Sequence, residues 1–235
     1  MPIMFMKLSK SIFITLILLS FLGCKKEEVK KTDELQFEKD AMKSVFVEIV
    51  DSIYMDRRII FPPPTPRFNE KTNKEDTTGF HKELKEYWRN RDSIKNDRTR
   101  ILLGVYNDVE KISSFETEMI VKYINISAYT YDVSKEVDSY KIDLKPFENN
   151  KKFNFQNASK YPHEKNWDLN DISNVRFPVG TISVSRIQFN KTKTRGILSA
   201  GASCGGGRCG RGFIIIIENK SGKWKIAEVI PTWES

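Results

Sequence analysis

Five consecutive large apolar residues, Phe213-Ile214-Ile215-Ile216-Ile217, limit the folds open to this chain more than any other stretch. Successive side chains of a strand point to opposite faces, so a run that is apolar at every position needs cover on both. Turn signals bracket it: the glycine-rich loop from Cys204 to Gly212 before, and Asn219-Lys220-Ser221-Gly222 after. Arg195 to Ser203 and Lys223 to Trp233 read as the flanking strands. The three make an antiparallel meander with the isoleucine run at its centre. Trp224, Ile226 and Ile230 then face the core.

Helical spacing dominates the N-terminal part. Asp33 with Gln36 resembles a helix-starting pair. Met42, Phe46, Ile49 and Ile53 recur at helical intervals, with Val45 and Val50 beside them, which predicts a helix from Asp33 to Arg57. Pro62, Pro63, Pro64 and Pro66 form a stiff extended connector. Residues 69–79 are polar and read as loop. Gly79 to Ile94 reads as a second helix, with Leu84, Tyr87, Trp88 and Ile94 inward. Its basic flank, Lys82, Lys85, Arg89, Arg91, Lys95, Arg98 and Arg100, is interleaved with Glu83, Glu86, Asp92 and Asp97, and so reads as a solvated face. Ile101–Tyr106, Met119–Tyr131 with its start open to helix, Ser139–Leu144 and Val179–Phe189 read as strands, and the Asn- and Lys-dense residues 148–166 as loop. The fold class is α+β: two N-terminal helices packed on a mostly antiparallel sheet that ends in the three-stranded meander. No internal repeat is present.

The first 28 residues carry an address. Lys7 and Lys10 precede an apolar run from Ser11 to Leu22, then Gly23, Cys24 and the charged Lys25-Lys26-Glu27-Glu28. The run is short for a bilayer span and has the layout of a secretory signal. Phe21-Leu22-Gly23-Cys24 resembles the lipobox of bacterial lipoproteins, departing from it at Phe21, where Leu is usual, and at Leu22, where a small residue is usual. The resemblance implies diacylation of Cys24, cleavage before it, and acylation of the new N-terminus. Several acyl chains anchor stably, at about 0.8 kcal/mol per buried CH₂. Lys25-Lys26-Glu27-Glu28 resembles the tag that sends some lipoproteins to the outer face of the outer membrane, and Lys25 is not the Asp that retains others at the inner membrane. The implied location is an envelope membrane, the outer one favoured, with the surface and periplasmic sides both open. The organisation expected is a signal peptide over 1–23, lipidated Cys24 with a charged tether over 24–32, and one globular α+β domain over 33–235.

Removing residues 1–23 takes Lys7 and Lys10, and no acid, from 39 basic and 31 acidic residues, which leaves a net charge of +6. Interspersed charge of this size permits contact with anionic lipid or polysaccharide without demanding it. A nucleic-acid partner would want a less neutralised stripe and is not expected. With Cys24 lipidated, Cys204 and Cys209 remain, and an exported pair is expected oxidised. Facing residues of a hairpin lie within disulfide reach, and so short a loop stabilises by about 2 kcal/mol. A structural staple is the favoured reading. A redox pair lacks the C-x-x-C spacing at a helix start, and zinc would need two further ligands.

The C-terminal segment also resembles a known group. Gly180 to Asn190, the Cys204–Gly212 loop, and Glu218-Asn219-Lys220-Ser221-Gly222-Lys223-Trp224-Lys225-Ile226 look like the C-terminal part of certain uncharacterised bacterial lipoproteins and exported proteins. Their order is Ser-x-Ser, Phe-Asn, Cys-Gly…Cys-Gly-x-Gly, Gly-Lys-Trp-Lys-Ile and a terminal Trp, here Trp233. The resemblance covers about residues 178–235, with one extra residue between the cysteines. It implies fold and compartment, and no activity.

Chemistry-bearing motifs are sparse. Gly205-Gly206-Gly207-Arg208-Cys209-Gly210 matches G-x-G-x-x-G as text, but a strand rather than a helix follows it, so nucleotide binding is rejected. Arg208 and Arg211 on this loop are candidates to recruit an anion or a partner. His81 and His163 are the only histidines, and no nucleophile elbow or metal-ligand spacing surrounds them. Asp168 and Asp171 make no distinctive pair. No catalytic residue, metal or cofactor is assigned. Two functions stand: a non-catalytic envelope lipoprotein contacting a protein or glycan partner, and, as the alternative, an exported hydrolase of an envelope polymer with His81 or His163 as base. Oligomeric state is open.

Overall fold

A computed structural model describes residues 25–60, 62–123, 138–162, 178–204 and 209–235. The chain divides into two compact units, Met1–Lys43 and Ser44–Ser235. The sheet, its core and the site below belong to the second.

Helix α1 spans Lys25–Ile53. It begins in the stretch read as a tether and ends before Arg57, after which a short helix α2 covers Arg57–Ile60. Within the second unit its stripe is as expected: Val45, Phe46, Ile49, Val50 and Ile53 are buried. The polar stretch read as loop holds a small hairpin, β1 (Arg67–Asn69) against β2 (Lys74–Asp76). Helix α3, Phe80–Asn96, stands where the second helix was expected, but none of its residues is buried, and Trp88 is 46% exposed. Of the residues expected inward, Leu84, Tyr87 and Ile94 are half-buried, and Trp88 is corrected to exposed. Arg91 explains the placement: its Nη1 donates to the Ile59 carbonyl of α2 and to the Tyr87 hydroxyl, both at 2.7 Å. A helix docked through a guanidinium needs no continuous apolar stripe.

Among the described residues the main sheet has seven strands. They are β3 (Ile101–Tyr106), β6 (Phe153–Asn157), β7 (Gly180–Val184), β8 (Gln188–Phe189), β9 (Arg195–Ser203), β10 (Gly210–Lys220) and β11 (Lys223–Glu234), after the two-residue pair β4 (Asp108–Val109) and β5 (Tyr140–Lys141). Their order is β11-β10-β9-β7-β3-β6, with β8 beside β9. β3 runs parallel to β6 and β7, and the other pairs are antiparallel. The α+β class, the mostly antiparallel sheet and the closing meander β9-β10-β11 are thus as the sequence indicated. Ile214 to Ile217 are all buried, and Phe213 is half-buried.

One assignment changes and an open one is decided. Residues 153–157, read as loop, form edge strand β6, in which Phe153 and Phe155 alternate with Asn154 and Gln156. Met119–Tyr131, whose start the sequence leaves open to helix, does begin in helix α4, Ser114–Tyr123; residues 124–131 lie outside the described ones. A capping box starts α4: the Ser113 Oγ accepts from the Glu116 N–H at 3.2 Å, and the Glu116 carboxylate accepts from the Ser113 N–H at 2.9 Å. The same carboxylate accepts from the buried Ser199 hydroxyl of β9, tying the helix to the sheet.

The isoleucine run is covered from both sides, as its composition requires. Ile214 and Ile216 join Ile197, Ile112 and Ile120 under α4. Ile215 and Ile217 point the other way, to the face where Phe46 of α1 packs on Phe155 and Phe147, with ring centroids 5.4 and 4.9 Å apart. No described helix is long and apolar enough to cross a membrane.

Candidate functional site

The segment Tyr54–Ile60 lies at the end of the sheet where β3, β6, β7 and β10 begin. Its backbone is docked on β7. The Arg57 N–H donates to the Val179 carbonyl at 3.1 Å. Gly180 lets the two chains touch: a Cβ there would overlap the Met55 carbonyl oxygen and come within 2.6 Å of that of Ser203. This is a close backbone approach that only glycine permits.

Side chains on this segment set up a charged cleft. The buried Asp56 carboxylate is held by Arg58 in a fork, with Nε at 2.9 Å and Nη2 at 2.7 Å, and it also accepts from the Arg58 backbone N–H at 2.9 Å. The hydrogen bond that Arg58 donates to Asp56 outweighs burial and holds the Arg58 pKa above its ordinary value, helped by the charges of Asp56 and Asp97. Asp97 sits 3.7 Å from Arg58 and closes a turn by accepting from the Thr99 N–H and hydroxyl, both at 2.8 Å. Those hydrogen bonds, backbone first, lower the Asp97 pKa. The turn's contribution is therefore full above the usual aspartate range and fades as pH falls through the lowered value.

Lys152, just ahead of β6, pairs with Asp51 of α1 and sits 4.6 Å from the Tyr54 ring centroid and 5.1 Å from that of Phe153. Burial pulls its pKa down, but Asp51 and Tyr54 together leave it raised. Between these groups is a recess of about 380 Å³, whose wall includes Tyr54, Arg58, Lys95, Arg98, Lys151 and Lys152. Five cations line it against two carboxylates, Asp56 and Asp97. Lys95, Arg98 and Lys151 form no ion pair with any described residue.

A second cavity, of about 650 Å³, shares Tyr54, Asp56 and Ile59 with the first and reaches Cys209, Arg211 and Glu234. The disulfide Cys204–Cys209 closes the loop from β9 to β10, with Cα atoms 5.5 Å apart and the Cys204 N–H donating to the Cys209 carbonyl at 3.0 Å. Cys204 is buried. Arg211 is exposed and pairs with Glu234 across β10 and β11. An exposed pair of this kind is weak and exchangeable.

No family model, no curated protein and no solved structure matches this chain. The site is therefore read from its own residues.

Of the positions singled out in the sequence, Cys24, Arg208, His163, Asp168 and Asp171 lie outside the described residues. His81 is exposed on α3, 5.6 Å from the Phe80 ring, with no hydrogen bond to a described residue. Among the described residues no group of three or more His, Cys, Asp or Glu is placed to hold a metal. Sequence reasoning passed over Tyr54, Asp56, Arg58, Lys151 and Lys152. The cue present was the basic flank containing Lys95 and Arg98, discounted because acids interleave with it. In space Asp97, the nearest of these acids, is engaged by Thr99 and Arg58, and so does not neutralise Arg98 or Lys151.

Proposed function

We propose that this chain is a lipid-anchored binding module of a bacterial cell envelope, without a catalytic step of its own. Cys24 carries the anchor, the outer membrane is the membrane that holds it, and an envelope protein or glycan is the partner. The lipobox-like Phe21-Leu22-Gly23-Cys24 and the resemblance of residues 178–235 to exported lipoproteins support the compartment. The observation that carries the binding role is the recess of about 380 Å³ with its unpaired cations Lys95, Arg98 and Lys151. Unpaired cations gathered around a concave recess attract an anionic partner more strongly than the same charges spread on an open surface.

Crosslinking on intact cells tests this reading. The wild-type chain is expected to capture a reproducible envelope neighbour, and the Arg98→Ala/Lys151→Ala variant to lose most of that capture at equal abundance. No reproducible neighbour, or capture indifferent to the two substitutions, removes the cleft from the function.

A further inference from the structure

We infer that the cleft at Lys95, Arg98 and Lys151 receives a phosphoryl group carried on a saccharide unit, an inference that rests on the binding-module reading. Three features of the recess point to this ligand.

The first is charge. With Asp56 held by Arg58, Asp97 by Thr99 and Arg58, and Lys152 by Asp51, the cations left for a ligand are Lys95, Arg98 and Lys151. A phosphate monoester brings a charge of about −1.5 to −2 and three strong acceptor oxygens, against −1 and two oxygens for a carboxylate. Three separate donors match three oxygens. They come from two parts of the fold, Lys95 and Arg98 from the end of α3 and the turn after it, Lys151 from the approach to β6. A ligand that bridges them spans the recess they line.

The second is size. About 380 Å³ falls within the range of small-ligand pockets and leaves room beyond the phosphoryl group for a sugar ring. Its wall also includes Tyr54, Ile59, Ile94 and Ile101, with the exposed Lys95, Arg98 and Lys151 beside them.

The third is mixed polarity. A site for a bare anion gains nothing from a carboxylate in its wall, yet Asp97 is there with its side chain 35% exposed, while the buried Asp56 is taken up by Arg58. Carboxylates accept hydrogen bonds from hydroxyls, and a saccharide supplies these beside its phosphoryl group.

The test uses the full chain extracted from membranes in a non-ionic detergent. Its probes are glucose 6-phosphate, glucuronate, glucose, inorganic phosphate, and vesicles of phosphatidylcholine with and without phosphatidylglycerol. Glucose 6-phosphate is expected to bind about tenfold more tightly than glucuronate or inorganic phosphate, and glucose not measurably. Arg98→Ala and Lys151→Ala should each weaken it about five- to tenfold, the loss of one charge-assisted hydrogen bond at a partly wet site. Lys223→Ala, at the opposite end of β11, should leave binding unchanged, and added salt should weaken it.

Inorganic phosphate binding as tightly as the sugar phosphate overturns the saccharide part. Equal affinity for glucuronate overturns the phosphoryl preference while the binding-module reading stands. Binding to phosphatidylglycerol vesicles alone, sensitive to Arg98→Ala, makes the cleft a membrane contact and overturns the recessed site. Failure of every probe, with circular dichroism unchanged from the native chain, ends this inference; the cell-surface capture of the double variant then decides separately whether the module reading survives.

Discussion

Ile215→Ala is expected to lower the unfolding free energy by about 4 kcal/mol. Ile215 is fully buried in the middle of β10. Its register neighbours are Leu198 on β9 and Val229 on β11, so strands confine it on both sides. Truncation removes transfer free energy and leaves a cavity that flanking strands cannot collapse into without breaking ladder hydrogen bonds. Such substitutions cost about 2–5 kcal/mol, the upper part applying where relaxation is blocked. Against a typical total of about 5–15 kcal/mol, this brings the fold near its limit. Urea unfolding checks it, with exposed Lys225→Ala on the neighbouring strand as the comparison, expected within about 0.5 kcal/mol of native. A loss below about 1.5 kcal/mol at Ile215 would mean that β10 is not the doubly covered centre of the sheet.

Gly180→Ala is expected to cost about 3 kcal/mol and to damage the cleft as well. The added methyl meets two backbone carbonyl oxygens, of Met55 and Ser203, rather than side chains that could rotate away. Overpacking ordinarily costs about 1–3 kcal/mol, and backbone on both sides places this site at the top of that range. Tyr54–Ile60 is the part free to move, because β9 is locked between β7 and β10. Its displacement carries Tyr54 and Arg58 with it, so glucose 6-phosphate affinity should fall together with stability. The comparison is Gly222→Ala in the β10–β11 turn. There φ is +83° and nothing lies within 4 Å, so that change strains the local backbone and leaves the cleft intact. Native stability in Gly180→Ala would show that the segment is not docked on β7.

Much of the fold was legible because its signals are local. Ile214 to Ile217 announce a strand covered on both faces, and the spacing of Val45, Phe46, Ile49, Val50 and Ile53 announces a helix covered on one. What stayed hidden depends on pairing. Phe153 and Phe155 alternate within residues 149–157, whose remaining residues are Asn, Gln and Lys, and two apolar positions do not outweigh that composition until β3 lies alongside in parallel register. The sequence leaves the start of Met119–Tyr131 open to helix, and the capping pair Ser113 and Glu116 is the local signal that decides it. Helix α3 misled in the opposite sense: Trp88 falls at core-like spacing, yet Arg91, Tyr87 and the carbonyl of Ile59 hold the helix in place.

The candidate site was hidden for the same physical reason. Tyr54, Arg58, Arg98 and Lys152 are spread over nearly one hundred positions and meet only because the strands beginning at Ile101 and Phe153 start at the same end of the sheet. Charge counted along the chain cannot show that Asp56 and Asp97 are engaged while Lys95, Arg98 and Lys151 are not. The Arg208–Arg211 loop, a candidate from sequence beside the reading of it as a solvated loop, offers one described cation, and that one faces Glu234.

The most direct measurement is the intact mass of the mature chain extracted from membranes, taken with and without reduction before thiol alkylation. A lipid-anchored module has a mass that begins at Cys24, carries acyl chains, and gains two alkyl groups, at Cys204 and Cys209, only after reduction. A chain without lipid, or two thiols that alkylate without reductant, would contradict the anchor or the staple, and with it the placement of this protein on an envelope membrane.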